Sequence, residues 1–199
     1  NRRHVAEIIN QTLQCQQIVK RLLEFTRKSM GQVAPFDVND TINRCVELIS
    51  HQAFFHNIEI VRELDPKLPQ ITGDSGQIQQ LVTNLLINAA DAMNGQGRIT
   101  LASRPAADGQ GIVLTLADTG KGIPLEIRDR IFEPFFTTKP PGTGTGLGLA
   151  IVHRIIYRHG GKIEVECPPG GGTTFTIRLP LVPPKKAEIE EAKDGRRGE

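Results

Sequence analysis

Apolar and polar positions alternate along this chain in two distinct periods. From residue 1 to about 29 there is no Pro or Gly, and Ile8, Gln11, Cys15, Ile18, Leu22 and Phe25 recur at spacings of three and four. That is the seam of a coiled coil or helix bundle, widened by Thr12 and Val19. A lone helix of this length is marginal in water, so the seam implies partner helices, unless the helix packs on its own domain. Gly31 and Pro35 then break the chain.

A second region, residues 36–182, mixes both periods. Asn39 or Asp40 is placed to cap a helix running to about Phe55. Ile58, Ile60, Arg62 and Leu64 alternate as in a half-buried strand. Asp74 caps a second helix, with Gln77 three residues on as in a capping box, and the apolar stripe Ile78, Leu81, Val82, Leu85, Leu86, Ala89, Met93 carries it to about Met93. Strands follow at 98–103 and 111–118, with Asp108-Gly109 as turn chemistry between them. A third helix starts near Leu147 and stops at Gly160-Gly161. Residues 162–166 and 173–179 close the region as a hairpin. The expected class is α+β, a two-layer α/β sandwich with a mixed sheet of about five strands against about three helices. Residues 183–199, short, charged and with paired prolines, read as a disordered tail.

Composition narrows the picture only a little. The chain has 199 residues, 38% hydrophobic and 23% charged, with a net charge of +2. Those values suit an ordinary soluble domain and give no electrostatic reason to expect nucleic acid or an anionic membrane as partner. No apolar run approaches the roughly 20 residues that span a bilayer. Three widely spaced cysteines, Cys15, Cys45 and Cys167, fit neither a zinc site nor a disulfide framework, so a reducing cytoplasm is expected. The chain begins with Asn1 rather than Met, so we expect a piece of a longer protein.

Four segments carry candidate chemistry. On the second helix Gln77, Gln80, Asn84, Asn88 and Asp91 form a polar stripe. Such a stripe serves as a solvated face, or offers amide oxygens one turn apart to a hard cation. Asp118-Thr119-Gly120-Lys121-Gly122 follows a strand directly. It is either a polar turn or a carboxylate that accepts an adenine amine beside glycines permitting close approach. Phe132 to Lys139 gathers three of eight phenylalanines ahead of a glycine run, as a small cluster or as the anchor of a lid. Gly142 to Gly148 alternates glycines into a helix start, which suits phosphate oxygens. It lacks the Gly-Lys-Ser/Thr of a P-loop and the context of a dinucleotide fingerprint.

In this order and content the four segments resemble the N box (Asn84 to Ala90), G1 box (Asp118 to Gly122), F box (Phe132 to Lys139) and G2 box (Gly142 to Gly148) of two-component sensor histidine kinases. Residues 1–30, with Ile18 to Phe25, look like the second helix of that family's dimerisation and phosphotransfer hairpin. The resemblance implies ATP and Mg²⁺ as cofactors, Asn88 assisted by Asn84 as metal ligands, and Asp118 as the adenine selector. It implies Gly120 and Gly122 in the base pocket, Gly144, Gly146 and Gly148 at the phosphate end of a lid, and Lys139 on the γ-phosphate. Asp91, Ile123, Phe132, Thr138, Thr145 and Leu147 complete the implied nucleotide contacts. Asp91 departs from the pattern, since many relatives place a lysine there. The implied activity is protein histidine kinase, the implied partners a response regulator receiver domain and a second copy bound through the N-terminal helix. None of His4, His51, His56, His153 or His159 has the family's acceptor context of a following acidic residue and a later proline. The phosphorylated histidine is therefore expected outside this chain. Related gyrase, chaperone and mismatch-repair ATPases place a glutamate base one turn before the metal asparagine. Asn84 holds that place here, and an amide accepts no proton at neutral pH. Serine kinases of the same nucleotide fold, or a degenerate nucleotide-binding scaffold, are the other readings.

Overall fold

A computed structural model describes residues 32–140 and 144–184. The expected bundle helix of residues 1–30 and nearly all of the expected tail lie outside them. The elements in chain order are β1 (Ala34–Phe36), α1 (Val38–Ser50), β2 (Asn57–Leu64), β3 (Ile71–Gly73), α2 (Ser75–Ala92), β4 (Gln96–Pro105), β5 (Gly111–Asp118), α3 (Gly148–Arg158), β6 (Lys162–Glu166) and β7 (Thr173–Pro180). Five strands form one sheet in the order β2-β4-β5-β7-β6, and β1 and β3 make a separate antiparallel pair. Only β2 and β4 run parallel within the large sheet. A parallel pair needs a crossover, and α2 supplies it.

The sandwich forms because each helix buries one stripe. Helix α1 turns Val38, Ile42, Cys45, Val46 and Ile49 inward. Helix α2 does the same with Ile78, Leu81, Val82, Leu85, Leu86, Ala89 and Ala90. These meet Ile99 and Leu101 of β4, Leu114 and Leu116 of β5, and Phe175 and Ile177 of β7 in a single core. The apolar stripe of α2, by facing the sheet, leaves its asparagine stripe turned to the other side.

Three local expectations are corrected. The cap of α1 is Asp37, whose Oδ1 accepts the Asn39 and Asp40 amides at 2.7 and 3.3 Å. Asn39 instead bridges strand ends, donating to the Asp65 carbonyl and accepting from Ser103 Oγ, both at 2.8 Å. The helix stops at Ser50 rather than near Phe55, because a separate 3₁₀ turn over Ala53–Phe55 is needed to bury Phe55. At α2, Asp74 caps as expected, accepting from the Gly76 and Gln77 amides. The capping box is replaced, however. Gln77 Nε2 donates to Asp74 Oδ2, while the Asp74 amide donates to Nε2 of the buried His159. His159 Nδ1 lies 2.8 Å from the Ile155 carbonyl, so the proton sits on Nδ1 and the ring ties the end of α3 to the start of α2.

Candidate active site

The candidate cleft lies between the polar face of α2 and the start of α3. Asn84, Asn88 and Asp91 stand on that face at spacings of four and three, all half-buried. Helix α3 begins directly opposite. A methyl group placed on Gly148 would lie 3.5 and 3.6 Å from Nδ2 and Oδ1 of Asn88 and 3.9 Å from Oδ1 of Asn84. Asn88 Nδ2 is buried and has no hydrogen-bond partner among the described residues. A buried amide without a partner is uncommon and carries a desolvation penalty, so it marks a place built for a further polar group. The first turn of α3 adds unpaired N–H groups and the positive end of its dipole. Together they form a small concavity suited to anionic oxygen.

The carboxylate expected at a strand end stands beside the C-terminal end of the same helix. Asp118 closes β5 and is 7% exposed. Burial raises its carboxyl above the ordinary range, opposed by the amide of Gly120 and by the amide and hydroxyl of Thr173. Those donors occupy only part of its acceptor capacity. Gly120 is forced: a Cβ there would stand 2.8 Å from Asp118 Oδ1 and 2.9 Å from the Ala92 backbone at the end of α2. Gly122 has φ +73°, open to glycine without strain. Ala92 and Asn84 are eight residues apart, about 12 Å along the helix axis. The carboxylate and the two asparagines are thus set along one rigid helix.

Part of this wall was not legible from spacing. The loop before β7 holds Gly170, Gly171 and Gly172 all at positive φ, and the Gly172 amide donates to the Gly120 carbonyl at 2.6 Å. Cys167 Sγ accepts from the Ile123 amide at 3.3 Å. Thr173, paired with Asp118 across β5 and β7, and Cys167 are additions to the expected set. The run of three glycines was the available signal, but it read as an ordinary hairpin turn.

The F and G2 segments meet back to back. Phe135 has φ +67° and Gly146 φ +65°, and the Phe135 amide donates to the Gly146 carbonyl at 3.0 Å. Of the three clustered phenylalanines, Phe132 and Phe136 pack on the core edge, while Phe135 is 63% exposed. The Phe132 ring lies against His153 of α3, and the Arg130 guanidinium sits over the Phe136 ring. Leu147 is fully buried, Thr145 and Gly144 half-buried, and Thr138 exposed. Ile123 packs against the core. Lys139 reaches across and forms an ion pair with Asp91. Gly142 and Thr143 of the expected segment lie outside the described residues.

A cleft with a buried carboxylate beside the C-terminal end of a helix and an orphaned amide one turn before that end narrows the choice of families. The model of the histidine kinase-, DNA gyrase B-, and HSP90-like ATPases matches residues 73–183. The chain belongs to this ATPase family. Every element of the cleft falls within the matched span. The sensor histidine kinase ZraS of Klebsiella oxytoca is 37% identical over 171 residues, 86% of this chain and 36% of that protein. The full-length ShkA crystal structure in complex with AMPPNP shares 30% identity at TM-score 0.76, over 92% of this chain and 39% of that one. Histidine kinase ThkA in complex with the response regulator protein TrrA shares 28% identity at TM-score 0.74, over 92% of this chain and 52% of that one. The chain thus spans about a third of the length of the curated ZraS it matches. The expected five-stranded sandwich is the fold of these kinases' catalytic domains. Among the described residues no helix is long and apolar enough to cross a membrane.

Proposed function

We propose that this chain is the ATP-binding catalytic portion of a two-component sensor histidine kinase. It binds Mg-ATP and donates the γ-phosphoryl group to a histidine outside this chain, for relay to an aspartate of a response regulator. The observation that carries this reading is the orphaned Asn88 carboxamide facing Gly148, with Asp118 buried beside the C-terminal end of the same helix. Residues 36–182 are the nucleotide-binding domain in this reading. Residues 1–30 are the second helix of a dimerisation hairpin, through which two copies pair.

The residues present fit a magnesium ion carried by phosphate. Among the described residues no group of three or more His, Cys, Asp or Glu could hold a metal. A protein-only cage is therefore not on offer, and magnesium is commonly bound by one or two protein oxygens together with substrate phosphates. Asn88 and Asn84 would supply those oxygens, a half-turn of the Asn88 carboxamide presenting Oδ1 where Nδ2 now stands. The ion, when bound, offsets charge on the phosphate oxygens.

The chain's own residues do the rest by position. Asp118 accepts the exocyclic amine of adenine, while Gly120 and Gly122 leave room for the ring; guanine presents a carbonyl there and is refused. The first turn of α3, with Gly146, Gly148 and Thr145, faces the phosphates with N–H groups. Phosphoryl transfer asks mainly for such placement and charge stabilisation. Asn84 stands where a hydrolytic relative has its base, so water near the phosphates is not activated and transfer to an amino-acid acceptor is favoured.

A calorimetric titration with a non-hydrolysable ATP analogue, with and without magnesium, tests this. Magnesium-dependent binding that a GTP analogue does not reproduce is the expected result. No binding at millimolar nucleotide would overturn the assignment. Phosphotransfer is then measured by supplying the histidine-bearing helix of the parent protein together with this chain.

A further inference from the structure

Asp91, which the family resemblance places among the nucleotide contacts, has no part in the metal, base or phosphate roles proposed above. It lies one turn beyond Asn88 on the same face of α2, so a carboxylate points into a cleft proposed to receive polyphosphate. Left alone, it would repel that ligand. It is not left alone: its Oδ2 pairs with Lys139 Nζ, and both side chains are less than 40% exposed. Lys139 sits at the head of the glycine segment. Its amide donates to Thr137 Oγ1, and a Cβ on Gly144 would lie 3.0–3.1 Å from its Cδ and Cβ. A few residues away the Phe135 amide clasps the Gly146 carbonyl. The ion pair thus fastens the folded-back F and G2 segments to the helix that carries Asn84 and Asn88.

We propose that Asp91 is a resident anion that occupies Lys139 in the absence of nucleotide and latches residues 135–139, with Gly144 and Gly146 packed against them, onto α2. A nucleoside triphosphate must take the ammonium from it. The inference rests on the nucleotide reading above for its competitor, but the latch itself is a property of the nucleotide-free chain. Asp91 acts through Lys139 and is a positioning residue, not a catalytic one. Ion pairs at partly exposed positions contribute little, so the latch is light, opening with a two- to fivefold bias at about the strength typical of such pairs. That is the range in which a ligand carrying several charges displaces it readily.

The test uses the whole chain and three variants, Asp91→Asn, Lys139→Gln and the double. Hydrogen exchange at the Phe135 amide, without nucleotide, reads the latch directly. Exchange about two- to fivefold faster in each single variant, with no further gain in the double, is expected. Calorimetry with the ATP analogue reads the competition. Asp91→Asn is expected to bind about two- to fivefold tighter, and Lys139→Gln weaker than wild type. Tighter binding with unchanged exchange would mean simple repulsion by Asp91, and overturns the latch. Weaker binding in Asp91→Asn would make Asp91 part of the ligand site, and overturns the competition. A wild-type chain that binds no analogue overturns the nucleotide reading and the competition with it, while the exchange comparison still decides the contact.

Discussion

Replacing Asp118 by Asn keeps the shape of the base pocket and removes only the charge. The structure fixes what each readout should show. Asn Oδ1 can still accept the Gly120 amide, which lies 2.8 Å from the native oxygen. The pocket therefore stays built. A hydrogen bond to a charged partner contributes about 1.5–3 kcal/mol and a neutral one about 0.5–1.5, so the exchange loses about 1–1.5 kcal/mol, roughly tenfold in affinity for the ATP analogue. Asp118→Ala loses the whole interaction, about 10- to 100-fold, and also strands the Gly120 and Thr173 donors, which lowers its melting temperature. Stability of the Asn variant moves the other way. Burial raises the Asp118 carboxyl above its ordinary range. A raised carboxyl favours the fold while protonated, and that contribution is lost as pH rises through the raised value. At neutral pH the ionised wild type therefore bears a penalty that Asn does not. The Asn variant should melt at the same or a higher temperature at pH 7, and the gap should close as pH falls toward and below the ordinary carboxylate value. Thermal melts from pH 3 to 8 beside calorimetry supply both curves. Unchanged affinity in both variants, or an Asn variant that is less stable at pH 7 than at low pH relative to wild type, would refute the reasoning.

Three further outcomes follow from the same geometry. Gly148→Ala should fold and melt like wild type, since its Cβ meets Asn88 at ordinary contact distances, yet it fills the concavity and should weaken analogue binding at least tenfold in calorimetry. Gly146→Ala combines positive φ with a Cβ 2.3 Å from the Phe135 carbonyl carbon and should open the F–G2 seam, whereas Gly109→Ala, at φ +68° with nothing nearby, should lose only about 1–2 kcal/mol of stability and no affinity. Urea melts and calorimetry on both separate strain from collision. Leu86→Ala removes a fully buried side chain between α2 and the sheet and should lose about 2–5 kcal/mol in chemical denaturation, with binding intact where the chain remains folded.

What the sequence disclosed and what it withheld divide along physical lines. The long periodic elements were legible, because α2, β2, β4, β5 and the β6–β7 hairpin each repeat a burial rule over several residues. Asp74 and Gly160 were legible because caps are local chemistry. The β1–β3 pair was not, since three residues hold no period. Asp37 lost to Asn39 as predicted cap because Asn39 has a tertiary use, bridging Asp65 and Ser103, that no local rule contains. In the candidate site, Asn84, Asn88, Asp118 and Gly144, Gly146 and Gly148 were named from spacing and family resemblance, and the structure sets Gly148 against Asn88 and Gly120, next to Asp118, against the end of α2. Thr173 was missed because it lies 55 residues from Asp118 and only the β5–β7 pairing brings it beside that carboxylate, and Cys167 because its contact with the Ile123 amide joins residues 44 apart in sequence. The Asp91–Lys139 contact was invisible for a related reason: opposite charges far apart in sequence announce nothing.

The pairing of Asp118 with Thr173 has a consequence for how this domain tolerates change. The excursion from residue 119 to 172 departs from β5 at Asp118 and comes back beside it at Thr173 of β7, so its two ends are held together, while α3 and the edge strand β6 within it belong to the core and the sheet. Closing a longer excursion adds little, about 0.6 kcal/mol for each doubling of a flexible loop. Insertions and grafted segments in the loop between β5 and α3 should therefore leave the scaffold standing, and the part of the molecule that meets the ligand is free to diversify on a frame that is not.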